Sequence, residues 1–114
     1  MKVYLDDLRP VPDGWVLAKT ASEAIGLLTT RTVTDLSLDH DLGCCGQCDA
    51  DYPGLTECAC NGNGYAVACW LEEQIVTDPT FPVPTIKVHS ANPVGVRRIN
   101  QVVASIAAMV EDRR

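Results

Sequence analysis

Four short apolar runs alternate with amphipathic stretches along this chain, and that alternation constrains the fold more than any other feature. The runs KVYL, WVLAKT, VTDLSLDHDL and PTIKVHSA have the length and composition of buried strands. The stretches TASEAIGLLTT, GYAVACWLEEQIV and NPVGVRRINQVVASIAAMV have the apolar spacing of helices. Strands that alternate with helices form parallel sheets covered on their faces. The sequence therefore predicts an α/β domain.

Cap residues mark the starts of two predicted helices. Thr20 and Glu23 form a capping box before the first helix, and Asn92 with Pro93 opens the last helix. We expect each of these helices to bury one apolar face. In the first helix the face consists of Ala21, Ala24, Ile25 and Leu28, and in the last helix it consists of Val96, Ile99, Val103, Ile106 and Val110.

The order of the strands is predicted from the lysines. Lysine is favoured on sheet edges because it discourages pairing with other strands. Lys19 and Lys87 therefore mark the second and fourth strands as edges. The predicted order is 2-1-3-4, in a truncated receiver-like or flavodoxin-like three-layer sandwich. Its ligand crevice should lie where the carboxyl ends of strands one and three meet.

Length and charge limit the function classes. A chain of 114 residues fits one domain, residues 1–114. A net charge of -6 disfavours a broad nucleic-acid surface or a membrane-binding surface, because both ligands attract basic proteins. A small phosphate-bearing ligand would have to be held locally, and a protein partner remains open. Without a signal-peptide or membrane-spanning pattern, we expect a cytoplasmic protein.

A cysteine-rich insertion after strand three, residues 43–63, has no strand or helix periodicity. Paired cysteines in a chain without a secretory signal are typical of zinc ligands. We predict a structural Zn²⁺ that orders the insertion; free thiols or a redox-active pair are the alternative. Cys69 lies on the second predicted helix and should pack as a small apolar residue. The predicted ligands are Cys45, Cys48, Cys58 and Cys60, with Cys44 as a spare.

Acidic residues follow the two central strands. Asp6 and Asp7 end strand one, Asp39 ends strand three, and Asp41 lies two residues later. Hard cations prefer such oxygen ligands, so these four carboxylates predict a site for Mg²⁺ or Mn²⁺.

Catalytic and ligand-binding candidates surround this site. Asp39, His40 and His89 are the candidate catalytic residues, because hydrolysis of a phosphate ester needs proton transfer. Either histidine could instead be structural, and Asn92 is needed as a helix cap in any case. The candidate ligand-binding groups are Arg9, Ser90, Asn92 and the first N–H groups of the last helix.

Four motifs resemble a known family: LDDLR, SLDHDLG, GNGYAVACWLEE and HSANPVG. Asp39 also stands where receiver domains carry their phosphoacceptor, but no lysine and fifth strand follow. The chain resembles the cyclic-phosphate processing receiver-like domains, which are divergent relatives of receiver domains. This resemblance implies a receiver-like fold and a role in handling cyclic phosphates or nucleotides.

Two functional hypotheses follow. The first is metal-dependent hydrolysis of a small cyclic phosphate or cyclic nucleotide, as by a phosphodiesterase or phosphoesterase. The alternative is a non-enzymatic sensor or binding module for a phosphorylated ligand or a protein partner. A sensor needs the carboxylates and phosphate donors but no proton-transfer groups, so the two histidines favour the enzyme.

The zinc prediction is tested by elemental analysis of protein purified under reducing, metal-replete conditions. We expect about one zinc per chain, and we expect Cys45→Ser or Cys60→Ser to lower both the zinc content and the melting temperature, because metal binding is coupled to folding. Cys69→Ser is the control and should keep the zinc. A zinc-free protein under these conditions would contradict the prediction.

Overall fold

The computed structural model describes residues 1–42 and 62–113 of the chain. Its strands are β1 (Lys2–Leu5), β2 (Trp15–Ala18), β3 (Asp35–Leu38) and β4 (Thr85–Val88), and its helices are α1 (Ala21–Leu28), α2 (Gly64–Thr77) and α3 (Pro93–Asp112). Each predicted strand and helix is present. None of the described helices is both long enough and apolar enough to cross a membrane.

The sheet has four parallel strands in the order β2-β1-β3-β4. This confirms the predicted α/β class and the predicted strand order. Lys19 directly follows β2 and Lys87 lies in β4, so both lysines mark edge strands as expected.

One hydrophobic core lies between the sheet and the helices. Val3, Leu5, Leu36 and Leu38 point into it from the two central strands and are fully buried. The buried stripe of α3 is Gly95, Ile99, Val102 and Ile106. Of the other residues predicted for the two helix faces, Ile25, Val103 and Val110 are half-buried and pack against this core, and Val96 is half-buried.

All three described helices lie on this core side. Helix α2 packs against both α1 and α3. The opposite face, which we call the open face, carries the alternate residues of each strand, and no described helix covers it. The described residues thus form two of the three predicted layers. The two rows of the open face are Trp15, Lys2, Asp35 and Thr85, then Leu17, Tyr4, Ser37 and Lys87.

The predicted zinc ligands Cys44, Cys45, Cys48, Cys58 and Cys60 lie outside the described residues. The chain leaves β3 and returns to α2 at one point, because Asp41 and Asn63 form an antiparallel bridge. Cys69 is a free, half-buried thiol that packs against the core.

Two glycines bring helix starts against the end of β3. A Cβ atom on Gly64 would overlap the Asp39 carbonyl group, and one on Gly95 would lie 2.6 Å from the His40 Cβ. Helix α2 therefore approaches the Asp39 backbone, and α3 approaches the His40 side chain, more closely than a residue with a Cβ atom would permit.

This packing predicts that Gly95→Ala and Gly64→Ala each destabilise the fold. Overpacking of this kind costs about 1–3 kcal/mol, measurable by urea unfolding. Gly26→Ala in α1 is the matched control, because nothing lies within 4 Å of its added methyl group. It should stabilise the protein by about 0.5–1 kcal/mol through helix propensity. Equal effects at all three positions would contradict the packing argument.

Candidate functional site

Three polar residues directly follow three neighbouring strands. Asp6 follows β1, Asp39 follows β3 and His89 follows β4. Side chains alternate along a strand, so each of these residues lies on the open face, two positions after Tyr4, Ser37 or Lys87 of the same strand. One oxygen or nitrogen atom of each residue lies within 4.8 Å of the others. The carboxyl edge of the sheet thus brings together Asp6, Asp39 and His89.

Asp6 is a buried carboxylate held by four hydrogen bonds. One oxygen accepts from the backbone N–H groups of Leu8 and Arg9, both at 2.9 Å. The other oxygen accepts from Arg9 Nη1 at 2.8 Å and from His89 Nε2 at 3.0 Å. Burial raises the pKa of Asp6, but these hydrogen bonds outweigh burial and hold the pKa at about 2. Asp6 therefore stays ionised and fixes the positions of its donors.

Arg9 supplies positive charge between the two carboxylates. Its Nη1 lies 3.4 Å from Asp39 Oδ2, in addition to the bond with Asp6. The side chain is 43% exposed, so the guanidinium also faces solvent. Arg9 can therefore contact a ligand without leaving the site.

Asp39 is buried with less compensation than Asp6. Burial raises the pKa of Asp39, and the negative charge of Asp6 raises it further. Arg9, His89 and a hydrogen bond from Ser90 oppose the rise without cancelling it. The two carboxylates therefore have pKa values shifted in opposite directions, an arrangement found where acid and base roles are divided.

His89 is held on three sides. Its Nδ1 lies 2.7 Å from Ser37 Oγ, its Nε2 bonds Asp6, and its ring stacks on Tyr4 with the centroids 4.2 Å apart. Because an ionised carboxylate only accepts, Nε2 carries the proton and donates to Asp6. For a neutral ring, the Ser37 hydroxyl then donates to Nδ1. His89 is thus hydrogen-bonded and stacked rather than freely solvated, and its catalytic or structural role stays a prediction.

Sequence reasoning missed Ser37 and Tyr4. Their signal was positional: each lies two residues before an acidic site residue on the same strand and therefore on the same face. A hydroxyl in an otherwise apolar central strand needs a partner, and here the partner is His89.

A second cluster joins His40, Asp41 and Asn92. Nδ1 of the buried His40 donates to Asp41 at 2.8 Å, and the Asn92 amide nitrogen lies 3.3 Å from the same carboxylate. His40 packs on the core side against Gly95, away from the open face. It therefore does not join Asp6, Asp39 and His89.

The N-terminus of α3 differs from the expected phosphate site. The N–H groups of Val94 and Gly95 donate to the Asn92 side chain, and that of Val96 donates to the Asn92 carbonyl. Pro93 has no N–H to offer. These N–H groups thus already donate to Asn92, and phosphate binding by them and by Asn92 stays a prediction.

A cavity of about 290 Å³ lies above these residues. It contains groups from both clusters. Among the described residues, Asp7 is neither in its lining nor in the Asp6–Asp39–His89 group. The lining consists of Asp6, Leu8, Arg9, Asp39, Asp41, Ser90 and Ala91.

One family model matches residues 1–105, from β1 into the last turns of α3, and it describes the cyclic-phosphate processing receiver domain. The chain belongs to this family. The match confirms the resemblance carried by the four motifs. No curated protein and no solved structure gives a significant match.

The donor set of this receiver domain fits a divalent cation. Two carboxylates suit Mn²⁺ or Mg²⁺, and ligand atoms of Asp6, Asp39 and His89 lie close together; His89 would have to release its Nε2 proton to bind a cation. The negative charge of Asp39 is compensated less than that of Asp6, so a bound cation would stabilise Asp39 more. Of the four predicted carboxylate ligands, Asp6 and Asp39 are in this group, and Asp41 lines the same cavity.

The opposite pKa shifts predict opposite effects on stability. Asp6 has a folded-state pKa of about 2 against an ordinary 3.8, so the unfolded chain binds more protons between these values. Its contribution of about 2 kcal/mol is complete above pH 3.8 and is lost as pH falls through 2. For Asp39 the folded-state pKa is raised, so its ionisation lowers stability as pH rises through that value.

At pH 7 in EDTA, Asp6→Asn should therefore lower the free energy of unfolding by about 2 kcal/mol or more. Asp39→Asn should leave it unchanged or increase it. Urea unfolding of both variants measures the difference. Equal losses in the two variants would contradict the assigned asymmetry.

Proposed function

We propose that this domain hydrolyses a small cyclic phosphate or cyclic nucleotide in the cavity above Asp6 and Asp39, with a divalent cation. The supporting observation is that two buried carboxylates, a half-exposed guanidinium and an imidazole converge at the carboxyl edge of the sheet. Membership of the cyclic-phosphate processing family agrees with such a substrate. A pocket with only its carboxylates would repel a phosphate, so the cation and Arg9 are both needed.

Asp6 and Asp39 would hold the cation, with water completing its coordination. When bound, the cation would offset negative charge on the phosphate oxygens. Arg9 would bind a further phosphate oxygen, because its guanidinium already faces the cavity and is released from Asp39 once that charge is compensated. Ser90, which also lines the cavity, would donate a further hydrogen bond to the phosphate.

Asp39 would accept a proton from the attacking water, because it lines the cavity in which the phosphate would lie. The water oxygen forms a bond to phosphorus, and one ring P–O bond breaks. The leaving oxygen needs a proton, and His89 is the nearest imidazole in the described part of the chain. To donate, His89 would have to be an imidazolium whose Nδ1–H donates to Ser37, and Nε2 would exchange Asp6 for that oxygen, so that the ring is neutral after the transfer. The product is an open phosphomonoester.

A binding module without turnover is the second candidate. It is favoured by the hydrogen bonding of His89, since both ring nitrogens already have protein partners. Binding alone would need only Arg9, Ser90 and the cation ligands. His89→Ala separates the roles: turnover about a hundredfold lower with metal affinity kept indicates a proton donor, whereas lost metal affinity indicates a ligand.

The proposal predicts metal-dependent turnover of at least one substrate in a panel of cyclic mononucleotides, cyclic dinucleotides and 2′,3′-cyclic phosphate ends. Asp39→Asn should lower kcat about a hundredfold or more, and EDTA should abolish activity. Asp35→Asn is the matched control, because Asp35 lies at the opposite end of β3. Phosphomonoester release measures turnover. Binding of a panel member without turnover would replace the enzyme with the binding module.

A further inference from the structure

The most exposed large apolar side chain in the described part of the chain lines the cavity above Asp6 and Asp39. Leu8 is 87% exposed, and the next most exposed is Val94 at 57%. A single exposed leucine on an ordinary surface needs no explanation. Leu8 differs because it lines the same cavity as the proposed cation ligands and Arg9. An apolar side chain therefore borders a site whose other groups suit an anion.

The turn that carries Leu8 is held by the site itself. The backbone N–H groups of Leu8 and Arg9 both donate to one carboxylate oxygen of Asp6, at 2.9 Å. Because Asp6 is buried, these two bonds fix the backbone of Leu8 at the entrance of the cavity. A residue that is ordered before a ligand arrives adds little entropy cost to binding. Leu8 is thus presented to a ligand in a defined position.

Adjacent residues of this turn offer different chemistry to one cavity. Arg9 supplies a half-exposed guanidinium, and Leu8, whose Cα atom is about 3.8 Å from that of Arg9, supplies apolar surface. Ala91, in the segment after β4, also lines the cavity. A ligand that uses both features must carry an anionic group and an apolar group close together.

The extent of the apolar surface limits what that group can be. Among the described lining residues, Leu8 and Ala91 are the apolar ones, which is enough for one ring system and too little for an acyl chain. A volume of about 290 Å³ is at the lower end for small-molecule sites, so a mononucleotide is favoured over a dinucleotide. Every nucleobase has a π-face on which other groups can pack. Its polar edge can stay in water while that face covers the leucine.

We propose that Leu8 packs on the face of a nucleobase, so that the ligand of the cavity is a cyclic mononucleotide. Leu8 would then distinguish this ligand from cyclic phosphates without a base. This inference rests on the proposed function and specifies its substrate class. Covering Leu8 removes apolar surface from water, which favours binding, whereas a small polar group in place of the base gives no such gain.

The test compares adenosine 2′,3′-cyclic phosphate with glycerol 1,2-cyclic phosphate. Both carry the same five-membered phosphate ring, but only the first has a base. Adenosine without a phosphate and a short-chain cyclic phosphatidate complete the panel. Calorimetric titration in the presence of Mn²⁺ measures the affinity of each probe, and KM replaces it for any probe that is turned over. The quantity of interest is the ratio of nucleotide affinity to glycerol cyclic phosphate affinity.

We expect this ratio to be about ten or more in the unmodified protein. Leu8→Gln keeps a side chain of similar length without its apolar surface and should lower the ratio about tenfold. Leu8→Phe should keep or raise the ratio, because bases stack on aromatic rings. Val76→Gln in α2 is the matched control, since Val76 is also exposed but does not line the cavity. Thermal melting checks that each variant is folded, as expected for changes at exposed positions.

The outcomes separate this proposal from the proposed function. A ratio near one, or a ratio that neither Leu8 variant changes, overturns the base contact but leaves the proposed phosphate site. Leu8-dependent binding of adenosine that equals binding of the cyclic nucleotide supports the contact and counts against the phosphate site. A phosphatidate that binds more tightly than the nucleotide, with the same dependence on Leu8, overturns the base in favour of a lipid. Binding of no probe overturns both proposals.

Discussion

The buried carboxylate of Asp6 is the interaction on which the site depends. A charge without solvent is costly unless hydrogen bonds replace the water, and Asp6 receives four. Two come from the backbone that turns after β1, one from Arg9 and one from His89 beyond β4. A single side chain therefore fixes a turn, a cation and an imidazole relative to one another. Removing its charge would disturb all three together.

That concentration of donors on Asp6 has a cost at Asp39. The neighbouring carboxylate is also buried but shares Arg9 at a longer distance, so its charge remains under-compensated. A protein selected only for stability would not retain such a group, whereas a reactive site benefits from one. The opposite pKa shifts of Asp6 and Asp39, on neighbouring strands, distinguish this edge of the sheet from an ordinary acidic surface.

The sequence was informative where one local rule acts. Apolar runs located the strands, Asn92 marked the start of α3, and the lysines indicated the order of the strands. It was less informative where neighbouring elements decide the outcome. The first N–H groups of α3 donate to Asn92, which the helix-start motif alone does not reveal, and His40 lies next to Asp39 in sequence but on the other face of the sheet. The open face also depends on where all three helices pack, which no single segment encodes.

The bridge between Asp41 and Asn63 joins the end of β3 to the start of α2. Because the chain returns to its point of departure, the ends of the intervening segment are already closed, and each doubling of its length adds only about 0.6 kcal/mol of entropy cost. The bridge also holds the start of α2 against the end of β3, where a Cβ atom on Gly64 would overlap the Asp39 carbonyl group. The spacing between that helix and the carboxylates is therefore set at this one point of the described chain.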